Sequence, residues 1–327
     1  MARPKIFLTR LIAEPAMQQL YQAVDIDVWE GENPPTHEVI LAKASHVDGI
    51  LTLLTDQIDR PVIEKLAKNC KVISQMSVGF DNIDIATATR LGIPVGHTPG
   101  VLTETTADFT WALIMAASRR VVEADQEVHR GVWRHWGPGI LLGLELTGAT
   151  LGIIGFGRIG QAVARRATGF NMRVLYHDFN HHPDLEKSLG VSYVSLEDLL
   201  AQSDIVTIHT YLSKETHHFF GRDKFEKMKP TAILINTARG QIVNPADLLW
   251  ALEGKKIGAA ALDVFEPEPI PVDHPLLRLP NVIVTPHIAS ATTQTRIRMA
   301  LMAVENLQAG LNGSHLPYCA NPHVYTK

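Results

Sequence analysis

Gly155-Phe156-Gly157-Arg158-Ile159-Gly160 constrains this chain more than any other stretch. The apolar run Leu151-Gly152-Ile153-Ile154 precedes it and a helical pattern, Ile159–Thr168, follows it, so the glycines fall on a strand-to-helix turn. At such a turn Gly155 makes the tight bend and Gly157 lets a pyrophosphate approach the backbone. Gly160 lets the helix lie close on the sheet, and the first helical N–H groups point at the phosphates, with Arg158 and Ile159 beside them. The motif alone is weak, because an ordinary glycine-rich turn also produces it. Here an acidic partner follows at the end of the next strand-like run, Arg173–Tyr176: Asp178. A carboxylate there accepts hydrogen bonds from ribose hydroxyls and repels a 2′-phosphate. Phe179 and Asn180 bring no positive charge, so the pattern reads as NAD rather than NADP, with His181 and His182 complicating that reading.

Such a turn belongs in an alternation of strands and helices, and the whole chain alternates. The first hundred residues predict strands at Lys5–Leu8, Ile26–Trp29, Gly49–Thr52, Val72–Gln75 and Pro94–His97, with helices such as Ala13–Gln22 and Pro61–Ala67. Glu104–Arg120 reads as one long helix with Thr103 as its N-cap. Strands then recur at Thr150–Ile154, Arg173–Tyr176, Ile205–Thr210, Ala232–Asn236, Gly258–Asp263 and Val282–Thr285, before a final helix, Thr293–Leu311. The expectation is an α/β chain of two doubly wound parallel-sheet domains. A Rossmann cofactor domain, residues 101–287, is inserted into a flavodoxin-like substrate domain, residues 1–100 and 288–327, on which the tail packs back.

At 327 residues, with 46% apolar and 20% charged side chains, two soluble domains are expected. The net charge of −4 is interspersed, so no basic stripe points to nucleic acid or a membrane surface. No apolar run approaches the ~20 residues a bilayer requires, and Ile6-Phe7-Leu8 is too short for a signal-peptide core. Cys70 and Cys319 have neither metal-ligand nor redox spacing. The expectations are a cytoplasmic protein and no metal.

A nicotinamide dinucleotide carries hydride. Reducing a keto acid also takes a cation for the carboxylate and carbonyl, a proton donor for the forming alkoxide, and a group that orients the donor. Three apolar runs in the second half end in such residues: Ile233-Leu234-Ile235-Asn236 in Thr237-Ala238-Arg239, Ala261-Leu262-Asp263 in Glu266-Pro267-Glu268, and Val282-Ile283-Val284 in Thr285-Pro286-His287. Each alone is compatible with a merely solvated loop residue. Together, at the strand ends where open parallel sheets bind ligands, they form a candidate site.

At these residues the chain resembles the D-isomer-specific 2-hydroxyacid dehydrogenases, most of all the glyoxylate/hydroxypyruvate and 2-ketogluconate reductases. The matching stretches are Ser77–Asp84, Thr98–Thr103, Leu151–Gly160, Asn236–Gly240, Leu262–Pro269 and Thr285–Ser290. The resemblance implies NAD-dependent reduction of a small 2-keto acid to the D-2-hydroxy acid. Arg239 would bind the carboxylate and carbonyl, His287 would give the proton, and Glu268 rather than Glu266 would favour the protonated imidazole. Backbone N–H groups of Val78 and Gly79 would hold the substrate carboxylate, with Leu53 and Ser290 beside the substrate. Thr106 would lie near the cofactor phosphates, and Thr237 and Asp263 near its nicotinamide end. Trp136 would cap the substrate pocket of a partner subunit in a homodimer; a tryptophan buried in its own dimer interface is the other reading. The chain departs from the family pattern at Ala289, where glycine is common, and at Tyr211, where proline is. A phosphite-oxidising dehydrogenase and an NAD-sensing corepressor-like binder remain alternatives. A formate dehydrogenase would carry Gln at Glu268.

Overall fold

The structure, a computed structural model, describes residues 3–326. The chain divides into two compact units, Met1–Leu102 with Ala291–Lys327, and Thr103–Ser290.

In the first unit β1 (Lys5–Leu8), β2 (Asp25–Val28), β3 (Gly49–Thr52), β4 (Val72–Gln75) and β5 (Val95–Gly96) pair in parallel in the order β2-β1-β3-β4-β5. This is the flavodoxin-like order. Interior strands β3 and β4 are buried along their whole length, as continuous apolar runs in parallel sheets are, whereas the edge strand Asp25-Ile26-Asp27-Val28 alternates. The polar end of β4 is satisfied internally. Ser74 Oγ donates to the Ala303 carbonyl at 2.7 Å, and Gln75 Oε1 accepts from Thr52 Oγ1 at 2.6 Å. Ala303 lies on the helix Thr293–Leu311, so the chain's last helix is fastened to β4. Asn306 on the same helix donates to the His97 carbonyl and accepts from Tyr318 N, both at 3.0 Å, which ties down the tail as well.

In the second unit β6 (Thr150–Ile154), β7 (Arg173–His177), β8 (Val191–Tyr193), β9 (Ile205–Ile208), β10 (Ile233–Asn236), β11 (Ala259–Leu262) and β12 (Val282–Val284) form a parallel sheet in the order β12-β11-β10-β9-β6-β7-β8. This is the dinucleotide-binding order extended by one strand, with its switch point between β6 and β9. Helices Thr103–Ser118 and Arg158–Ala167 cover one face over a core that includes Trp111, Ile114, Leu151, Ile153 and Val163.

Three expectations need correction. The long helix is two: Thr103 is the first helical residue rather than the cap, the helix ends at Ser118, and a second runs Val121–His129. Between them Arg120 takes a left-handed conformation, φ 52°, where neither Gly nor Pro signals a break. Strand β8 goes unread because only Val191 of its three residues is buried. The strand read to Thr210 stops at Ile208, since the backbone of His209 and Thr210 passes directly against Gly155.

Candidate active site

The C-terminal ends of β10, β11 and β12, neighbours in the sheet, bring three charged side chains to one corner. After β10 the side chain of Asn236, buried, fixes the turn. Its Nδ2 donates to the Arg239 carbonyl at 2.9 Å and its Oδ1 accepts from Ala238 N at 3.0 Å. Gly240 follows, and a Cβ there would sit 2.0 Å from the carbonyl carbon of Phe265, so the Arg239 turn and the loop after β11 touch backbone to backbone. On that loop Glu268 Oε2 accepts from Phe265 N at 3.2 Å, while Oε1 lies 2.5 Å from Nδ1 of His287. The imidazole is thus held through Nδ1. Both side chains are half-buried, 21% and 27% exposed, so the pair is partly desolvated yet reachable.

Burial pushes the Glu268 carboxyl up. The hydrogen bond and charge of His287, the Phe265 N–H and the charge of Arg239 outweigh that and hold it below the ordinary 4.5. A depressed carboxyl contributes stability that is present above 4.5 and lost as pH falls through the lower folded value. Through the neutral range Glu268 is therefore an anion beside the imidazole. Glu268→Gln is expected to lower kcat for reduction by roughly tenfold to a hundredfold, the rate equivalent of a lost charge-assisted hydrogen bond. It should also abolish the acid limb that protonation of Glu268, whose carboxyl is held below 4.5, contributes to the profile. A pH–rate profile superimposable on the parent's would show that the pair is not used.

His287 itself sits at φ 54°, the left-handed region that only a few per cent of non-glycine residues occupy. Such a conformation costs about 1–3 kcal/mol and persists only where neighbours over-determine it. Asp263 provides that constraint. It is fully buried, Oδ1 accepts from Thr285 Oγ1 at 2.6 Å and Ile288 N at 2.9 Å, and Oδ2 accepts from Ala289 N at 2.8 Å. The sequence reading puts Asp263 at the nicotinamide end of the cofactor, yet here both its oxygens are committed to the turn that carries His287. Thr237 is likewise engaged, its hydroxyl 3.0 Å from that of Thr110. Thr106 is buried on the same helix as Thr110, where its carbonyl accepts from the Thr110 hydroxyl. Ser290 follows the Asp263-bound turn and is half-buried.

The glycine turn lies at the switch point of this sheet. Gly155 has φ 91°, and a Cβ there would lie 2.6 Å from the backbone of His209 and Thr210; Gly160 approaches the Gly155 carbonyl, where a Cβ would stand at 2.3 Å. Gly157 differs: a Cβ would meet open space, the residue is exposed, and it caps helix Arg158–Ala167 without a side chain. Arg158 is exposed and Ile159 half-buried at the head of that helix. Asp178 closes the turn from β7, accepting from Phe156 N at 2.5 Å and Asn180 N at 3.0 Å. An open face at Gly157, an uncapped helix N-terminus and a carboxylate at the neighbouring strand end fit a dinucleotide. Gly155→Ala combines a disfavoured φ with a backbone clash and should lower Tm by about 2–8 °C, the shift of ~1–2 kcal/mol in a domain of this size. A melting curve unchanged from the parent's would contradict this geometry. His209, which the sequence reading passes over, follows β9 beside the turn. Desolvation pushes its pKa down to about 3, so a neutral imidazole, 2.9 Å from Thr207 Oγ1, borders the cradle. Tyr211 beyond it is 68% exposed.

In the first unit, the ends of β3 and β4 hold the other expected residues. Leu53 N donates to Asp56 Oδ2 at 2.7 Å, and the Leu53 carbonyl accepts from Asn82 Nδ2 at 3.1 Å. The carbonyl of Val78 lies 3.0 Å from His97 Nδ1, and that of Gly79 accepts from Ser77 Oγ. With both carbonyls turned inward, the two peptide N–H groups make no hydrogen bond among the described residues. Asp56, Asn82, Ser77 and His97 carry no catalytic signature in the sequence; they are recognisable only from these contacts.

A switch-point glycine cradle beside an Arg, His and Glu corner on one sheet defines a nicotinamide-dependent oxidoreductase. Residues 111–289 match the D-isomer specific 2-hydroxyacid dehydrogenase NAD binding domain. A glyoxylate reductase from Aeropyrum pernix is 50% identical over 99% of this chain and 98% of its own. A protein of known structure from Thermus thermophilus superposes with a TM-score of 0.90 at 44% identity, covering 97% of this chain and 99% of that one. An NADPH-dependent glyoxylate/hydroxypyruvate reductase from Sinorhizobium meliloti, solved with NADP and malonate, gives 0.84 at 29% identity, covering 99% and 98%. The chain belongs to the D-isomer specific 2-hydroxyacid dehydrogenase family and is an enzyme of that oxidoreductase class.

Proposed function

We propose that the enzyme reduces a small 2-keto acid, glyoxylate or hydroxypyruvate being the leading candidates, to the D-2-hydroxy acid with NADH. The observation that carries this is the His287–Glu268 pair at 2.5 Å, with the charge of Arg239 acting on the same carboxylate. A nicotinamide dinucleotide held on the Gly155–Gly160 turn and Asp178 would supply the hydride. Arg239 holds the substrate carboxylate and polarises the carbonyl. Nε2 of His287 gives its proton to the carbonyl oxygen while Glu268 stabilises the imidazolium that must be present beforehand.

Asp178 supports NAD over NADP, because its charge would face a 2′-phosphate with no Arg or Lys among Phe179, Asn180, His181 and His182 to offset it. The Sinorhizobium meliloti relative, an NADPH enzyme, makes this the sharper half of the proposal. A homodimer is part of the reading. Val128, Val132, Trp133, Trp136 and Leu142 stand 53–80% exposed on the second unit, an apolar surface of the kind that subunit contacts cover.

The test follows loss of NADH or NADPH absorbance with glyoxylate, hydroxypyruvate, 2-ketogluconate and pyruvate in parallel. Turnover of about 1–100 s⁻¹ with NADH on glyoxylate or hydroxypyruvate is expected. A preference for NADPH would refute the role given to Asp178. NADH binding without turnover of any keto acid would refute the reductase, and phosphite-dependent NADH formation would replace it.

A further inference from the structure

Outside the catalytic corner, His217, His218 and Glu266 bring two imidazoles and a carboxylate together, with one ligand atom from each all within 4.8 Å of one another. We propose that these residues form a binding site for a borderline transition-metal dication of the Zn2+ class. The carboxylate serves both rings. Its Oε2 is 2.5 Å from His218 Nε2 and its Oε1 is 3.6 Å from His217 Nε2. Two nitrogens and one oxygen suit Zn2+ or its neighbours and not Mg2+ or Ca2+, which take oxygen sets. Three protein ligands leave the fourth tetrahedral position to water, and the half-exposed rings leave that side open.

The frame is well supported. The segment that carries the histidines is hydrogen-bonded to the turn after Arg239: His218 N donates to the Gln241 carbonyl at 2.8 Å and Phe220 N to the Ile242 carbonyl at 2.9 Å. Glu266 leaves the loop after β11, which Gly240 holds by backbone contact. Metal–nitrogen bonds of about 2.0–2.1 Å require ligand atoms roughly 3.3–3.5 Å apart. The Glu266–His218 contact must therefore open by under about 1 Å. The His217 ring, stacked on His218 with centroids 4.0 Å apart, must turn to aim its lone pair at the ion. His217 is free to do so at 49% exposure. An ion bound here exchanges a surface hydrogen bond for coordination and tethers the 216–220 segment to the loop that also bears Glu268. Cys70 and Cys319, on whose spacing the expectation of no metal rests, take no part.

The test is a Zn2+ titration of the full-length, chelator-treated enzyme against a chromogenic zinc indicator, with His217→Ala and Glu266→Gln in parallel. The variants matter because the chain has 15 histidines and carries background binding. One saturable equivalent per chain is expected, weakened at least about tenfold in each variant and not displaced by excess Mg2+. His217→Ala removes only a half-exposed ring, and circular dichroism checks that both variants fold. Absence of a saturable equivalent, or unchanged affinity in both folded variants, overturns the site.

Discussion

His287→Asn leaves NADH affinity intact and lowers kcat for keto-acid reduction by about 10²- to 10⁴-fold, the range that a general acid supplies. Asparagine is the informative replacement because the backbone here is left-handed, φ 54°, and Asn tolerates that region where Ala does not. The Asp263 carboxylate bonds the backbone N–H groups of Ile288 and Ala289 and the Thr285 hydroxyl, none of which the substitution touches. The turn therefore keeps its shape, and the deficit reports the missing proton rather than a collapsed loop. Stopped-flow measurement of NADH binding with steady-state kcat separates the two. A kcat within tenfold of the parent's removes His287 as the donor. Loss of NADH binding would mean that the turn supports the cofactor instead.

What was legible beforehand follows from which interactions are local. The glycine turn, the ends of β10 to β12 and the helix Thr293–Leu311 announce themselves because apolar runs end in charge or in glycine, and each signal lies within a few residues. The roles of Asn236 and Asp56 are nearly as local, yet their patterns are shared by ordinary turns. The anchoring role of Asp263 is harder: its partners Thr285, Ile288 and Ala289 follow β12, so only the parallel pairing of β11 with β12 reveals it. The break at Arg120 left no trace because Val121-Val122 continues the apolar pattern across it. Glu266 lies 48 residues beyond His218 in the chain, and its convergence with the adjacent His217 and His218 depends on β9, β10 and β11 lying side by side.

Arg239→Gln is expected to lower kcat/KM for a 2-keto acid by roughly 30- to 4,000-fold, the equivalent of about 2–5 kcal/mol for removing one partner of a hydrogen-bonded charge pair. The loss should fall on KM and kcat together. The guanidinium holds the carboxylate in ground and transition state alike, while its contact with the carbonyl strengthens only as negative charge develops there. Arg239→Lys keeps the charge but not the planar fork, so it should recover part of the binding and little of the orientation. Because the Arg239 charge also helps hold the Glu268 carboxyl low, Arg239→Gln should raise that carboxyl and shift the acid limb of the pH profile upward. The discriminating control is an aldehyde that lacks the carboxylate. A cation that grips the carboxylate makes the variant lose far more on the keto acid than on the aldehyde, compressing the ratio of the two kcat/KM values. An equal loss on both substrates would leave Arg239 acting on the carbonyl alone and would remove it from carboxylate recognition.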